Sequence, residues 1–276
     1  MNADFTSTIL PLVPDQGFVM AVFLLALRLS ALLLLTPLFH AFSVPASARL
    51  LLVIGLATGL ALGIPATDTR EMLLMTSGEL IAACLKELAL GATLGLAILT
   101  AFAAISMAGR LIDVQIGFGM AQVFDPVTRR QVPVLSSAFD KLGVIVFFLV
   151  DGHHALLRGI AYSLERFPPG RTWAVEAAAP LVIKQIAGFF GLGLALAAPV
   201  VVCLLMVELA LGVVSRNLPQ MNMFVIAVPI KVFVGLAVLS LWLGGAGDAM
   251  NRIYGSIYRA WDGMFAAAAM TVPGRR

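Results

Sequence analysis

The sequence predicts an all-α membrane protein built from bent helical hairpins, and three observations predict it. The first is composition: 61% of the 276 residues are hydrophobic, 12% are charged and the mean hydropathy is +1.00. A water-soluble domain carries about 25% charged residues, and half that density cannot coat a soluble surface. The second is the presence of several apolar runs that approach or exceed the roughly 20 residues of a helical span. The third is proline placed inside or beside those runs, at Pro37, Pro45, Pro199, Pro219 and Pro229, which favours bent helices over straight rods. Composition also excludes a disordered chain. Cys84 and Cys203, both in apolar stretches, are the only cysteines and exclude a disulfide scaffold or a zinc module. A net charge of +3 does not suggest a nucleic-acid partner.

The apolar segments, in order, are 18–39, 48–64, 79–107, 132–150, 180–214 and 221–245. The first is interrupted by Arg28, Ser30 and Thr36, and the third holds Lys86 and Glu87. The fourth is polar in its first half. The fifth, with Pro199 at its middle, is too long for one span and short for two, so a kink or break is expected there. Polar connectors are expected over 40–47, 65–78, 108–131, 151–179 and 215–220, with His40 as a loop residue. In the tail, 246–276, Ile253, Ile257, Trp261 and Phe265 recur at helical spacing opposite Arg252, Arg259 and Asp262, which predicts an amphipathic helix. Residues 1–17 carry Asp4 and Asp15 but no Lys or Arg, so no cleavable signal peptide is expected. Alternate connectors hold eight against five Lys and Arg residues. The positive-inside rule gives a sharper split for a simple serpentine, so that topology is disfavoured.

Five cations lie in or near the apolar segments: Arg28, Lys86, Lys141, Lys184 and Lys231, with Glu87, Glu208 and Asp140 as the acids. A charge at bilayer depth costs about 2.5–3.5 kcal/mol on insertion scales. Arg28 and Lys184 read as snorkelling to an interface. For Glu208 and Lys231, deeper in their segments, a buried subunit contact and snorkelling are both open. Lys86 and Glu87, adjacent on a helix, point to different sides and are not expected to pair.

The connector 108–131 is largely apolar from Ile112 to Phe124 but is interrupted by Asp113, Gln115, Gly117, Gly119 and Gln122, and Asp125-Pro126 is a stop signal. Glycines two apart weaken a helix. Non-helical backbone at membrane depth is tolerated only where it is buried in protein or lines a cavity. Two readings stand. The segment fills a pore with Ile116, Phe118, Met120 and Phe124, or it is an ordinary surface loop with apolar anchors. Asp151-Gly152-His153-His154 invites a metal reading, but adjacent histidines on a helix diverge by about 100° and no third histidine, cysteine or glutamate is near. A cap or turn is expected, with no metal and no cofactor. No P-loop, dinucleotide fingerprint or nucleophile elbow is present, so no catalytic residue is expected. A proton-coupled small-solute transporter using Glu208 and Lys231 remains a rival to a pore subunit. The long polar insertions fall between 108 and 179 with no counterpart after 220, which is unlike the matched halves of many transporters.

Three blocks decide between these. Gly109-Arg110-Leu111-Ile112-Asp113-Val114-Gln115-Ile116-Gly117-Phe118 is followed by Asp125-Pro126. Asp151-Gly152-His153-His154 is followed by Ser163 and Pro168-Pro169-Gly170. The third runs from Ala198-Pro199-Val200 through Glu208-Leu209-Ala210-Leu211-Gly212, Ser215-Arg216 and Pro219-Gln220-Met221-Asn222-Met223-Phe224 to Pro229-Ile230-Lys231. In order and spacing they resemble the FliR family of type III secretion export-gate subunits, over nearly the whole chain, and the last block resembles the flagellar branch more than the injectisome branch.

The resemblance implies a single domain over 1–276, with a FliP-like helical part at 1–178 and a FliQ-like helical hairpin with an amphipathic tail at 179–276. It implies a hetero-oligomeric gate with FliP, FliQ and FlhB in the bacterial inner membrane at the flagellar basal body, surrounded by lipid and passing unfolded flagellar proteins. Loop 109–126 takes the place of the family's plug, with Gly109, Ile112, Asp113, Gln115, Ile116, Gly117, Phe118, Gly119, Met120, Phe124 and Pro126 as plug and gating residues. Glu208, Arg216, Pro219, Asn222 and Lys231 become candidate subunit contacts.

Overall fold

The computed structural model describes residues 15–41, 44–118, 123–125, 130–170, 175–217, 220 and 222–271. Almost all of them are helical. In chain order the elements are α1 (Gln16–Leu35), α2 (Leu38–Ala41), α3 (Ala46–Ala61), α4 (Ala66–Leu73), α5 (Ser77–Ile116), β1 (Val123–Asp125), β2 (Arg130–Val132), α6 (Val134–Leu149), α7 (Gly152–Arg166), α8 (Val175–Asn217), α9 (Met223–Leu243) and α10 (Gly247–Thr271). The two short strands form one antiparallel pair, with Val123 opposite Val132 and Asp125 opposite Arg130.

Four of these helices are long and apolar enough to cross a membrane: Gln16–Leu35, Ser77–Ile116, Ala179–Asn217 and Val225–Leu243. They are fewer than the apolar segments of the sequence because α3 and α6 have 16 residues each and fall short of a span. Of the kink or break expected at Pro199, the break does not occur. α8 runs for 43 residues through it, and α9 runs through Pro229. In apolar surroundings a broken helix would leave several backbone groups unpaired, whereas an internal proline removes one hydrogen bond. Pro37 and Pro45 do mark breaks: α1 is capped at Thr36 and α3 starts at Pro45. All five expected connectors are partly helical: α4 lies inside 65–78 and α7 inside 151–179, α5 and α8 run on into 108–131 and 215–220, and His40 lies in α2 within 40–47.

The chain forms two units. The first gathers the described residues up to Leu96 with those of Leu156–Leu181 and those from Trp261 onward. Along α1, Gly17, Ala21, Leu24, Leu25, Arg28, Leu29 and Leu32 are buried at helical spacing, and this stripe is its packing face. α1 packs on α3 and α4, and Ala21, Leu24, Met72 and Ala83 form a core cluster flanked by Met20, Ile64, Met75, Leu80 and Cys84. α5 is started by a capping box, in which Glu79 Oε2 accepts from Thr76 N at 2.8 Å and Glu79 N donates to Thr76 Oγ1 at 3.4 Å. Trp261 Nε1 donates to Leu94 O at 3.1 Å, and its ring fills the space left by Gly159.

The second unit comprises Ala97–Ala155 and Val182–Ala260. Its centre is aromatic: the rings of Phe102, Phe147 and Tyr254 lie 5.7–6.0 Å apart, and the Tyr254 hydroxyl donates to Gly143 O. Burial pushes the Tyr254 phenol well above its usual range. Gln185 Nε2 donates to Ala97 O at 3.2 Å and Thr100 Oγ1 at 3.1 Å, and Trp242 Nε1 donates to Leu196 O at 3.1 Å. The tail helix α10 matches its expected amphipathic pattern: Ile253, Ile257, Trp261 and Phe265 are buried, and Arg252, Arg259 and Asp262 are exposed.

Candidate functional site

The segment expected to be a glycine-interrupted loop starts as helix. α5 continues to Ile116, so Gly109, Ile112, Asp113, Gln115 and Ile116 belong to its last two turns. Ile112 and Ile116 are fully buried and do not form a free apolar loop. Gly109 is a contact position, since a β-carbon there would lie 2.8 Å from Ser136 Cα. Ile116 packs into the gap at Gly235, where a β-carbon would lie 2.5 Å from Ile116 Cγ1. Asp113 is 1% exposed, and its carboxylate accepts from Leu135 N at 3.1 Å and Ser136 N at 2.8 Å.

Glycine does end the helix, at Gly117. Its φ is +97°, a conformation open to glycine, and its N–H bonds Asp113 O at 3.2 Å. Phe118 follows, half-buried. Gly119, Met120 and Pro126 lie outside the described residues. Phe124 is the middle residue of β1, opposite Gln131. The chain therefore leaves α5 at Gly117, pairs briefly with itself and re-enters helix at Val134, and one carboxylate bonds the backbone at the point of return.

Of the candidate subunit contacts, Glu208 and Lys231 are ion-paired to each other between α8 and α9. The lysine side chain is 18% exposed and the glutamate 41%. Arg216 is exposed in the last turn of α8, and Asn222 precedes α9 and accepts from Val225 N through its carbonyl. Pro219 lies outside the described residues. With Glu208 partly open to its surroundings, Lys231→Ala is expected to lower recovery of the protein or its complex modestly, by about 1 kcal/mol or less. Yield and thermal stability in detergent check this, and unchanged values for both single alanine variants would mean the pair is dispensable.

The strongest polar constellation was not anticipated as a unit. Arg28 does not snorkel. It is 1% exposed and donates from Nε to Glu87 Oε2 at 2.6 Å and from Nη2 to Glu87 Oε1 at 3.0 Å. It also donates to Phe167 O at 2.8 Å, Ser163 Oγ at 3.3 Å and Ser163 O at 3.4 Å. Glu87 Oε1 accepts from Gly170 N at 3.2 Å, and Gly170 has a φ of +78°. Ser163 and the Pro168-Pro169-Gly170 turn thus meet a two-point guanidinium–carboxylate pair at the end of α7. The available signal was an arginine in one span and a glutamate in another, each costly alone.

At Asp151-Gly152-His153-His154 the backbone carbonyl of Asp151, not its side chain, receives His154 N at 3.0 Å and Ala155 N at 3.2 Å. Asp151 has a φ of 55°. The two histidine rings do not diverge as the spacing argument required. Their centroids are 4.1 Å apart, and His154 Nδ1 lies 3.2 Å from Asp151 Oδ1. Asp151, His153 and His154 bring one ligand atom each within 4.8 Å of one another, and among the described residues this is the group that could hold a cation. The Asp151 and His154 side chains are largely exposed, at 75% and 62%.

Known proteins give this geometry a family. A profile described as bacterial export proteins, family 1, matches residues 19–257. The flagellar biosynthetic protein FliR of Bacillus subtilis is 34% identical over 222 residues, 79% of this chain and 84% of that protein. The protein of the same name in Aquifex aeolicus is 29% identical over 91% of this chain and 95% of its own length. The Yop proteins translocation protein T of Yersinia pestis is 26% identical over 68% of this chain and 73% of its length. With the match running from α1 into α10, this multi-helix membrane chain belongs to the bacterial export proteins, family 1.

Proposed function

We propose that the chain is a subunit of the flagellar type III export gate in the bacterial inner membrane, where it lines the pore and supplies its plug. The observation that carries this reading is the family match over 19–257 together with flagellar relatives at 29–34% identity. The lower identity to the translocation protein of Yersinia pestis, 26%, favours the flagellar over the injectisome branch. FliP, FliQ and FlhB are its partners, unfolded flagellar proteins pass through the assembly, and the chain itself catalyses nothing. Residues 1–178 form the FliP-like part and 179–276 the FliQ-like hairpin. The Asp151–His154 turn is structural. The Glu208–Lys231 pair is a strut between two helices, not a proton relay.

Gating is passive. An idle pore must hold the ion gradient, and apolar side chains across a narrow constriction exclude water and ions by dewetting. Phe118, Met120 and Phe124 remain the plugging side chains. Ile112 and Ile116 support the base from which the segment leaves. Replacing residues 119–129 with a short Gly-Ser linker should leave assembly with FliP-like partners intact and make cells leaky to ions. The checks are co-purification of the complex, membrane potential and secretion at equal expression. A linker variant that assembles, secretes and stays ion-tight would show that this segment is not the seal. A chain recovered as a stable monomer without partners would favour a transporter.

A further inference from the structure

The turn from α6 into α7 gathers three metal-ligating side chains that the export reading leaves unused. α6 ends at Leu149 and α7 starts at Gly152, so only two residues join them. Gly152 permits so short a link: a β-carbon there would lie 2.5 Å from the Phe147 ring and 2.8 Å from Phe147 O. Asp151 has a φ of 55°, and its carbonyl accepts from His154 N and Ala155 N. Asp151 is thereby held beside the first turn of α7, where both histidines lie. Divergence of the two imidazoles, the ground for expecting no metal, is absent. Their centroids are 4.1 Å apart, and Asp151, His153 and His154 each bring one ligand atom within 4.8 Å of the others. A zinc ion with bonds of about 2.0–2.1 Å needs ligand atoms about 3.3 Å apart, and rotation of exposed side chains between staggered positions closes that difference.

Two further observations leave lone pairs for an ion. His153 Nδ1 is buried and forms no hydrogen bond among the described residues. An unsatisfied buried polar atom in a native protein calls for a partner, and an ion is one such partner. The same ring rests against Phe148, with centroids 5.3 Å apart. His154 Nδ1 lies 3.2 Å from Asp151 Oδ1. With the proton on Nδ1, the carboxylate orients the ring and Nε2 keeps its lone pair, the arrangement common among metal-bound imidazoles.

We propose that Asp151, His153 and His154 form a binding site for a divalent transition-metal cation of the zinc class. Two imidazoles and a carboxylate suit zinc, whereas magnesium and calcium take all-oxygen sets. Asp151 and His154 are largely exposed, so an ion enters from solvent and water completes its coordination. The ion ties the link to the first turn of α7. It is a structural ion of the turn and takes part in no reaction. The three ligands belong to the second unit, and the site does not depend on the export reading.

The test uses the full chain purified with its gate partners in detergent, freed of any affinity tag and stripped with a chelator. Zinc is titrated in competition with a chromophoric chelator for the unaltered protein, His154→Ala, Asp151→Asn and the double variant His153→Ala, His154→Ala. Asparagine also adopts the left-handed backbone, so Asp151→Asn keeps the turn while removing the charge. The unaltered protein should take up one zinc per chain more than the double variant, and each single variant should bind at least about tenfold more weakly. Zinc should raise the thermal midpoint of the unaltered protein and not that of the double variant. Equal zinc uptake by the unaltered protein and the double variant would mean adventitious metal only, and the site is wrong. Displacement of zinc by an equal concentration of magnesium would overturn the ion class. Should the double variant be poorly recovered, because His153 packs on Phe148, the two single variants decide by themselves. Undiminished zinc affinity in both of them overturns the site.

Discussion

Replacing Glu87 with alanine is expected to cost about 3–5 kcal/mol and to abolish recovery of the folded protein, the penalty of leaving a buried charge without its partner. Arg28 is 1% exposed, so its guanidinium cannot relax into water, and the two carboxylate bonds at 2.6 and 3.0 Å would vanish together. The damage spreads, because Glu87 also holds Gly170 N and Arg28 holds the carbonyls of Ser163 and Phe167. Arg28→Ala should be milder. It removes the larger ion and leaves a carboxylate that still accepts from Gly170 N. Replacing both with methionine should recover part of the loss, since a buried pair and an apolar pair of similar volume often differ little. Recovery stays partial because the Ser163 and Phe167 carbonyls still lose a donor. Yield of monodisperse protein in detergent and its thermal midpoint are the measurements. A Glu87→Ala protein of normal yield and midpoint would mean that Arg28 finds water or another partner.

Gly91→Val should be about as damaging, at about 3 kcal/mol. A β-carbon at Gly91 would overlap the carbonyl oxygen of Arg28, with the carbonyl carbon at 2.9 Å and Ala31 Cβ at 3.0 Å. One turn on, a β-carbon at Gly95 would lie 3.0 Å from both Leu32 O and Leu35 Cβ. The obstacle at Gly91 is backbone, so no rotamer change relieves it. α1 and α5 would have to separate, which also pulls Arg28 from Glu87. Small residues four apart allow such close approach between membrane helices. Gly188→Ala is the matched control. It lies in α8 with open space around it, so it should be neutral or slightly stabilising, alanine being the better helix former by up to about 1 kcal/mol. Thermal midpoints of Gly91→Ala, Gly91→Val and Gly188→Ala in one detergent give the comparison. A Gly91→Val protein as stable as the control would show that the two helices are not in this contact.

How much of the site was legible depends on how far apart its parts lie in sequence. The glycine signal correctly stops α5 at Gly117, because a positive φ is a local property. Gly109 entered only through the resemblance, as the first residue of loop 109–126, and there the absent side chain serves close packing within a helix. Ile112 and Ile116 look the same in sequence whether they line a pore or a helix interface, and only their neighbours decide. Gly91 and Gly95 stand four apart in plain view, but which helix they admit is not a local matter. At Asp151–His154 both histidines lie in the first turn of α7, and their rings still meet, because the 100° step fixes the Cα–Cβ directions and leaves side-chain rotation free to bring adjacent rings together.

By itself the sequence determined the class and most of the helices. Hydropathy, capping residues and amphipathic period act within one or two turns, and they place α1, α3, α5, α6, α8, α9 and α10 within a few residues of their expected bounds, apart from the C-terminal extension of α5. Tertiary structure decided what the charged residues do. Arg28 and Glu87 stand 59 residues apart, Lys231 and Glu208 stand 23 apart, and Asp113 caps a helix that starts beyond a hairpin. In each case two groups costly to bury alone become tolerable only when packing brings them together. Continuity of α8 through Pro199 has the same origin, since surroundings poor in competing hydrogen-bond partners make one missing bond cheaper than a broken helix.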